Sequence, residues 1–124
     1  MTAGSPVLIV EDDEILRTVL VRTLRARGIE VEEAVSAEDA VDALAGGLRP
    51  RLVLLDLNLP GATGWDFLRE AELVKAGSPP VVITSASALS PRRLAQARVA
   101  GYLPKPFALE AFLATVQRFI GAAR

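Results

Sequence analysis

Short β-branched and leucine-rich runs recur along the chain, each separated from the next by a stretch that repeats apolar residues at helical spacing. Val7 to Val10, Glu30 to Ala34, Leu52 to Leu55, Val81 to Ile83 and Gly101 to Leu103 read as five strands. Unbroken apolar runs such as Val7 to Val10 and Leu52 to Leu55 mark strands buried on both faces, as in a parallel sheet covered by helices. Between the first two strands, Ile15, Leu16, Val19, Leu20 and Leu24 form a helical stripe that ends where Gly28 supplies a left-handed stop. Ser36 with Asp39 resembles a capping box, and Ala40, Val41 and Leu44 carry a second helix to Gly46-Gly47.

A third helix is expected from about Trp65 to Val74, with Trp65, Leu68 and Ala71 inward, after a loop of Pro60, Gly61 and Gly64 and before Gly77. Ser90-Pro91 sets a capping residue before a first-turn proline and starts a fourth helix that runs to about Ala100. The fifth is the clearest, with Leu109, Phe112, Leu113, Val116, Phe119 and Ile120 on one stripe. Five strands alternating with five helices predict a doubly wound α/β domain spanning residues 1–124.

Composition narrows the chemistry. With 14 basic and 15 acidic side chains there is no overall field to attract nucleic acid or anionic lipid, so partners must be recognised locally. No apolar run approaches the ~18 residues of a membrane span. The opening MTAGSP has neither a basic start nor an apolar signal core, which places the chain in the cytoplasm. The chain has no cysteine and no histidine. Disulfides, thiolate nucleophiles, serine-histidine triads and histidine metal clusters are thereby excluded, leaving carboxylates, hydroxyls, lysine and one tyrosine.

Polar residues stand just where the apolar strands end: Glu11, Asp12 and Asp13 after the first, Asp56 after the third, Thr84 after the fourth and Lys105 after the fifth. In parallel strands joined by right-handed crossovers these ends share one edge, where open α/β sheets bind ligands. Glu11, Asp12 and Asp56 brought together there repel one another unless a cation intervenes. Magnesium suits such a set, because it takes one or two carboxylates and completes its shell with water and phosphate oxygens. Lys105 adds a fixed charge and Thr84 a hydroxyl, both fitted to a phosphoryl group. The nucleophile in such a site is a carboxylate.

Four motifs in order, VLIVEDDE, LVLLDLNLPGATG, TSA and GYLPKPF, make the chain resemble the receiver domains of two-component response regulators over almost its whole length. The resemblance implies a flavodoxin-like strand order of 2-1-3-4-5. It implies Asp56 as phosphoacceptor, Asp12 as a direct magnesium ligand, Glu11 as its acidic partner through water, and Asn58 as a ligand through its backbone carbonyl. Thr84 becomes the switch hydroxyl, Lys105 the phosphate-gripping lysine, Tyr102 the aromatic that moves inward, and the Lys105-Pro106 bond is expected to be cis. Asp13 would begin the first helix, where a negative side chain favours the helix dipole.

The implied role is a signalling switch and not an enzyme acting on outside substrates. Its donor would be a histidine kinase or histidine phosphotransfer protein, and its output a protein partner on the face made by helix four, strand five and helix five, with no output domain in the chain. Arg98-Val99 and Thr63 depart from residues frequent in that family. Three other readings compete. A flavin or nucleotide binder would need a phosphate-cradling loop where the chain has Glu-Asp-Asp. A magnesium-dependent phosphohydrolase with an aspartyl nucleophile would need an acid where Asn58 stands. A receiver used as a phosphorylation-independent interaction module keeps the fold, but has no need of Asp56, Thr84 and Lys105 together.

Overall fold

All four residues of β1 (Val7–Val10) are buried, because the strand lies inside the sheet with side chains alternating between two covered faces. The computed structural model describes residues 5–59, 61, 63–70, 79–97 and 99–120. There β1 is followed by α1 (Glu14–Arg25), β2 (Val31–Ala34), α2 (Ala37–Ala45), β3 (Leu52–Asp56), α3 (Gly64–Glu70), β4 (Val81–Ser85), α4 (Pro91–Ala97), β5 (Gly101–Pro104) and α5 (Leu109–Ile120). The five strands pair in parallel in the order β2-β1-β3-β4-β5, as expected.

Period-two alternation divides the core in two. Leu8, Val10, Val53, Leu55 and Ile83 meet Ala37 and Ala40 of α2 and Phe67 and Leu68 of α3. Val7, Ile9, Leu52, Leu54 and Val82 face Leu20, Val21 and Leu24 of α1 and Phe112 and Val116 of α5. No helix among the described residues is long and apolar enough to cross a membrane.

Two strands outrun their apolar sequence. β3 continues through Asp56 and β4 through Ser85, so that Asp56 and Thr84 are partners on a ladder rung. Backbone pairing is indifferent to side-chain polarity: Leu57 N–H donates to Thr84 O at 3.0 Å and Lys105 N–H to Ser85 O at 2.8 Å. Asp56 and Thr84 thus sit inside the sheet's last rungs, while Glu11, Asp12 and Lys105 stand just beyond the ends of β1 and of the last strand, β5.

The helices are capped largely as their sequences direct. Asp13 Oδ1 accepts the Leu16 N–H at 3.1 Å, Ser36 Oγ the Asp39 N–H at 3.0 Å, and Ser90 Oγ the Arg93 N–H at 3.1 Å. Gly28 takes a left-handed φ of 77° after α1. The inward stripe of α1 is rotated from the expected one: Leu20, Val21 and Leu24 are buried, whereas Ile15 is 80% exposed and Val19 39%. In α3 it is Phe67, fully buried, that occupies the core, with Leu68 beside it, while Trp65 is half-buried under the Arg93 guanidinium at 4.4 Å. The expected end of this helix at Val74, and Ala71 with it, lie outside the described residues. α4 closes earlier than Ala100, whose N–H instead donates to Val81 O at 2.7 Å and opens the β5 pairing.

α3 also begins with a reciprocal cap. Thr63 Oγ1 accepts the Asp66 N–H at 3.2 Å, and Asp66 Oδ2 accepts the Thr63 N–H at 3.1 Å. The next residue, Gly64, lies so close to the end of β3 that a Cβ there would come within 2.8 Å of the Leu57 side chain, 2.9 Å of its Cα and 3.0 Å of Asp56 O. Backbone cannot yield as a side-chain tip can. Gly64→Ala is therefore expected to lower stability in urea unfolding by about 1–3 kcal/mol, the usual cost of overpacking.

Candidate functional site

The carboxyl ends of β1, β3, β4 and β5 bring Glu11, Asp12, Asp56, Thr84 and Lys105 to one edge of the sheet. Glu11 and Asp56 are each 3% exposed and Thr84 is 5% exposed, while Asp12 faces solvent. One carboxylate oxygen each from Glu11, Asp12 and Asp56 lies within 4.8 Å of the others. Lys105 Nζ reaches across the sheet edge to Glu11 Oε1 at 2.8 Å and Asp56 Oδ2 at 3.3 Å. The peptide bond that follows it, Lys105-Pro106, is cis.

The remaining oxygens are also engaged. Glu11 Oε2 accepts the Asp13 N–H at 3.1 Å, and Asp56 Oδ1 accepts the Asn58 N–H at 3.0 Å. Asn58 in turn accepts, on Oδ1, a hydrogen bond from Ser85 Oγ at 3.0 Å. Further along the edge, the Tyr102 hydroxyl donates to Ser87 O at 2.9 Å. A cleft of about 330 Å³, lined by Asp13, Leu16, Ala86, Lys105, Pro106 and Phe107, opens beside the lysine. A larger hollow of about 540 Å³ at the amino ends of β1 and β2, lined by residues such as Pro6, Arg25 and Gly28, contains none of the expected site residues.

Two contributors escaped the sequence reading. Arg17 of α1 donates from Nη1 to Glu11 O at 2.9 Å and from Nε to Glu33 Oε1 at 3.0 Å, tying the first loop to β2. Ser85 is 1% exposed and links β4 to Asn58. The signals for Ser85 were its place in the TSA motif and a small polar residue next to Thr84 at the end of an apolar run.

Electrostatics set the character of this edge. Burial holds the Glu11 carboxyl above its ordinary range; the Asp56 charge adds to this, and together they outweigh the Lys105 and Asp13 hydrogen bonds. Burial alone would lower Lys105, but its hydrogen bond to Glu11 and the charges of Glu11 and Asp56 hold the ammonium above its usual value. A raised carboxyl means that the folded state binds more protons than the unfolded state, so Glu11 costs stability once pH exceeds its folded pKa. In metal-free buffer, Glu11→Gln is expected to melt above the wild type at neutral pH. That advantage should narrow as pH falls through the folded pKa toward the ordinary glutamate value of 4.5 and Glu11 takes up its proton.

The family model of the response regulator receiver domain matches residues 7–117, and the chain belongs to that family. The response regulator MprA of Mycolicibacterium vanbaalenii is 35% identical over 115 residues, covering 92% of this chain and 49% of that protein. The chain thus spans about half the length of the curated relatives it matches.

Among solved structures, the chemotaxis protein CheY4 of Vibrio cholerae superposes with a TM-score of 0.81 at 30% identity, over 94% of this chain and 99% of that one. The receiver domain of a sensor histidine kinase from Pseudomonas aeruginosa has a TM-score of 0.80 at 30% identity, over 96% and 99% of the two chains. That structure has a magnesium ion coordinated in its active-site cleft. The chain is accordingly a receiver domain of response regulators, a signalling switch with the flavodoxin-like fold.

Proposed function

We propose that Asp56 is the phosphoacceptor of this receiver and that Lys105 and Thr84 are the groups that receive the phosphoryl oxygens. The observation that carries this is the Lys105 ammonium lying 2.8 Å from Glu11 and 3.3 Å from Asp56, in reach of any oxygen attached to the latter. A carboxylate oxygen of Asp56 attacks the phosphorus of a phosphohistidine on a histidine kinase or phosphotransfer protein. The P–O bond forms as the P–N bond breaks, and the imidazole leaves with a proton. The donor must be a separate protein or segment, because these 124 residues contain no histidine.

The donor set is all oxygen, which fits a hard cation. Asp12 and Asp56, the Asn58 carbonyl, and Glu11 through water would hold magnesium, which supplies charge neutralisation for phosphoryl transfer. Lys105 steadies the same charge from the β5 side and Thr84 donates its hydroxyl from the same rung on the neighbouring strand, β4. For Tyr102 to turn inward it must exchange its bond to Ser87 O, so occupation of Asp56 biases the α4, β5 and α5 face that a protein partner reads. Burial of Asp56 and Thr84 beside Lys105 favours this over a phosphorylation-independent module, and Asn58 in place of a second acid disfavours a hydrolase. Incubation with magnesium and a small acyl phosphate should add one phosphoryl group to the intact mass, and chelating the metal should prevent it. No addition in either case would refute the reading.

A further inference from the structure

Ser85 is the most deeply buried polar residue of the described site, 1% exposed, and its hydroxyl is fully used. Oγ accepts the Ser87 N–H at 3.0 Å and donates its own proton to Asn58 Oδ1 at 3.0 Å. A buried hydroxyl without an acceptor is costly, so the bond to Asn58 is what satisfies it. Asn58 itself is exposed, yet it is held at two points: its backbone N–H by Asp56 Oδ1 and its carboxamide by Ser85. A surface amide of this kind would otherwise rotate freely.

We propose that Ser85 is a positioning residue that withholds the Asn58 side-chain carbonyl from water and so prolongs the life of the phosphoryl group on Asp56. This rests on Asp56 being the acceptor. When an aspartyl phosphate hydrolyses, a water oxygen bonds to phosphorus as the P–O bond to Asp56 breaks. Asp56 departs as the carboxylate, and the water's protons leave with inorganic phosphate and the solvent. A neighbouring acceptor for one of those hydrogens helps align the water with its lone pair toward phosphorus.

Two residues from the acceptor, Asn58 Oδ1 is such a group, but Ser85 engages it and turns it to β4. What the carboxamide still offers is its Nδ2 donors, which would bind a water through the lone pair that attack requires. Released from Ser85, the amide can rotate and present Oδ1 to the water.

The test has two readouts. In the unphosphorylated protein, ¹⁵N relaxation of the Asn58 side-chain amide should show an ordered group in the wild type and a mobile one in Ser85→Ala. After loading with acyl phosphate and desalting, loss of the added mass should be roughly two- to tenfold faster in Ser85→Ala, the rate equivalent of one neutral hydrogen bond. In an Asn58→Ala background the same substitution should leave the decay unchanged, because the positioned group is gone. Equal amide order in wild type and Ser85→Ala, equal decay, or the same acceleration without the Asn58 side chain would each overturn the proposal. A wild type that accepts no phosphoryl group would refute the role of Asp56, while the amide measurement would still decide whether Ser85 holds Asn58.

Discussion

Asp56→Asn is expected to take up no phosphoryl group and yet to melt above the wild type in metal-free buffer. A carboxamide nitrogen or oxygen does not replace a carboxylate nucleophile, so uptake should fall to the background of the assay. The stability gain has a separate origin. Asp56 and Glu11 are both 3% exposed and share one lysine, and the Asp56 charge is among the causes that raise Glu11. An asparagine keeps an oxygen to accept the Asn58 N–H and removes the repulsion. The gain should appear as a rise in Tm of a few °C. Differential scanning calorimetry with a chelator present reads it, and an unchanged or lower Tm would count against mutual repulsion at this edge.

Lys105→Met is expected to lose the same function with the opposite effect on stability. Methionine fills much of the space of the lysine stem but leaves Glu11 and Asp56 without the cation that lies 2.8 Å and 3.3 Å away. Stability should fall by about 2 kcal/mol, less than for a wholly buried pair because the lysine side chain is itself 20% exposed. Phosphoryl uptake from the small donor should slow on the order of 10²–10³-fold, the usual loss when one fixed stabilising group is removed from a transition state. Added magnesium should recover more Tm in this variant than in the wild type, since the ion would be the cluster's remaining counter-charge. Two variants equal in stability would show that the carboxylates and the lysine are not energetically coupled.

The frame was legible, and so was the convergence of the polar residues on one edge, because each stands at the carboxyl end of a strand. Asp56 after Leu52 to Leu55 and Thr84 after Val81 to Ile83 are conspicuous for that reason, and the parallel topology does the rest. What was not legible is what depends on tertiary detail. That Asp56 and Thr84 lie on a paired rung reflects backbone hydrogen bonds, which leave no mark in side-chain chemistry.

The rotation of α1 that exposes Ile15 and buries Val21 is set by its seat on the sheet, since both residues fit a helical stripe equally well. In α3, Trp65 was expected inward, but Phe67 is the residue fully buried between α3 and the strands, with Trp65 at the edge of the core. Thr63 was conspicuous as a departure from a frequent acid, whereas its partnership with Asp66 makes it the cap of that helix. Arg17 and Ser85 act on residues 6 and 27 positions away in the chain, distances at which spacing alone carries no signal.

The most direct measurement is to locate the phosphoryl group. Protein incubated with magnesium and a small acyl phosphate is trapped by borohydride reduction of the acyl phosphate, digested, and sequenced by mass. Modification is expected at Asp56 alone, and none in Asp56→Asn. Modification at Asp12, Asp13 or any other residue, or an Asp56→Asn protein that still gains a phosphoryl group, would contradict it.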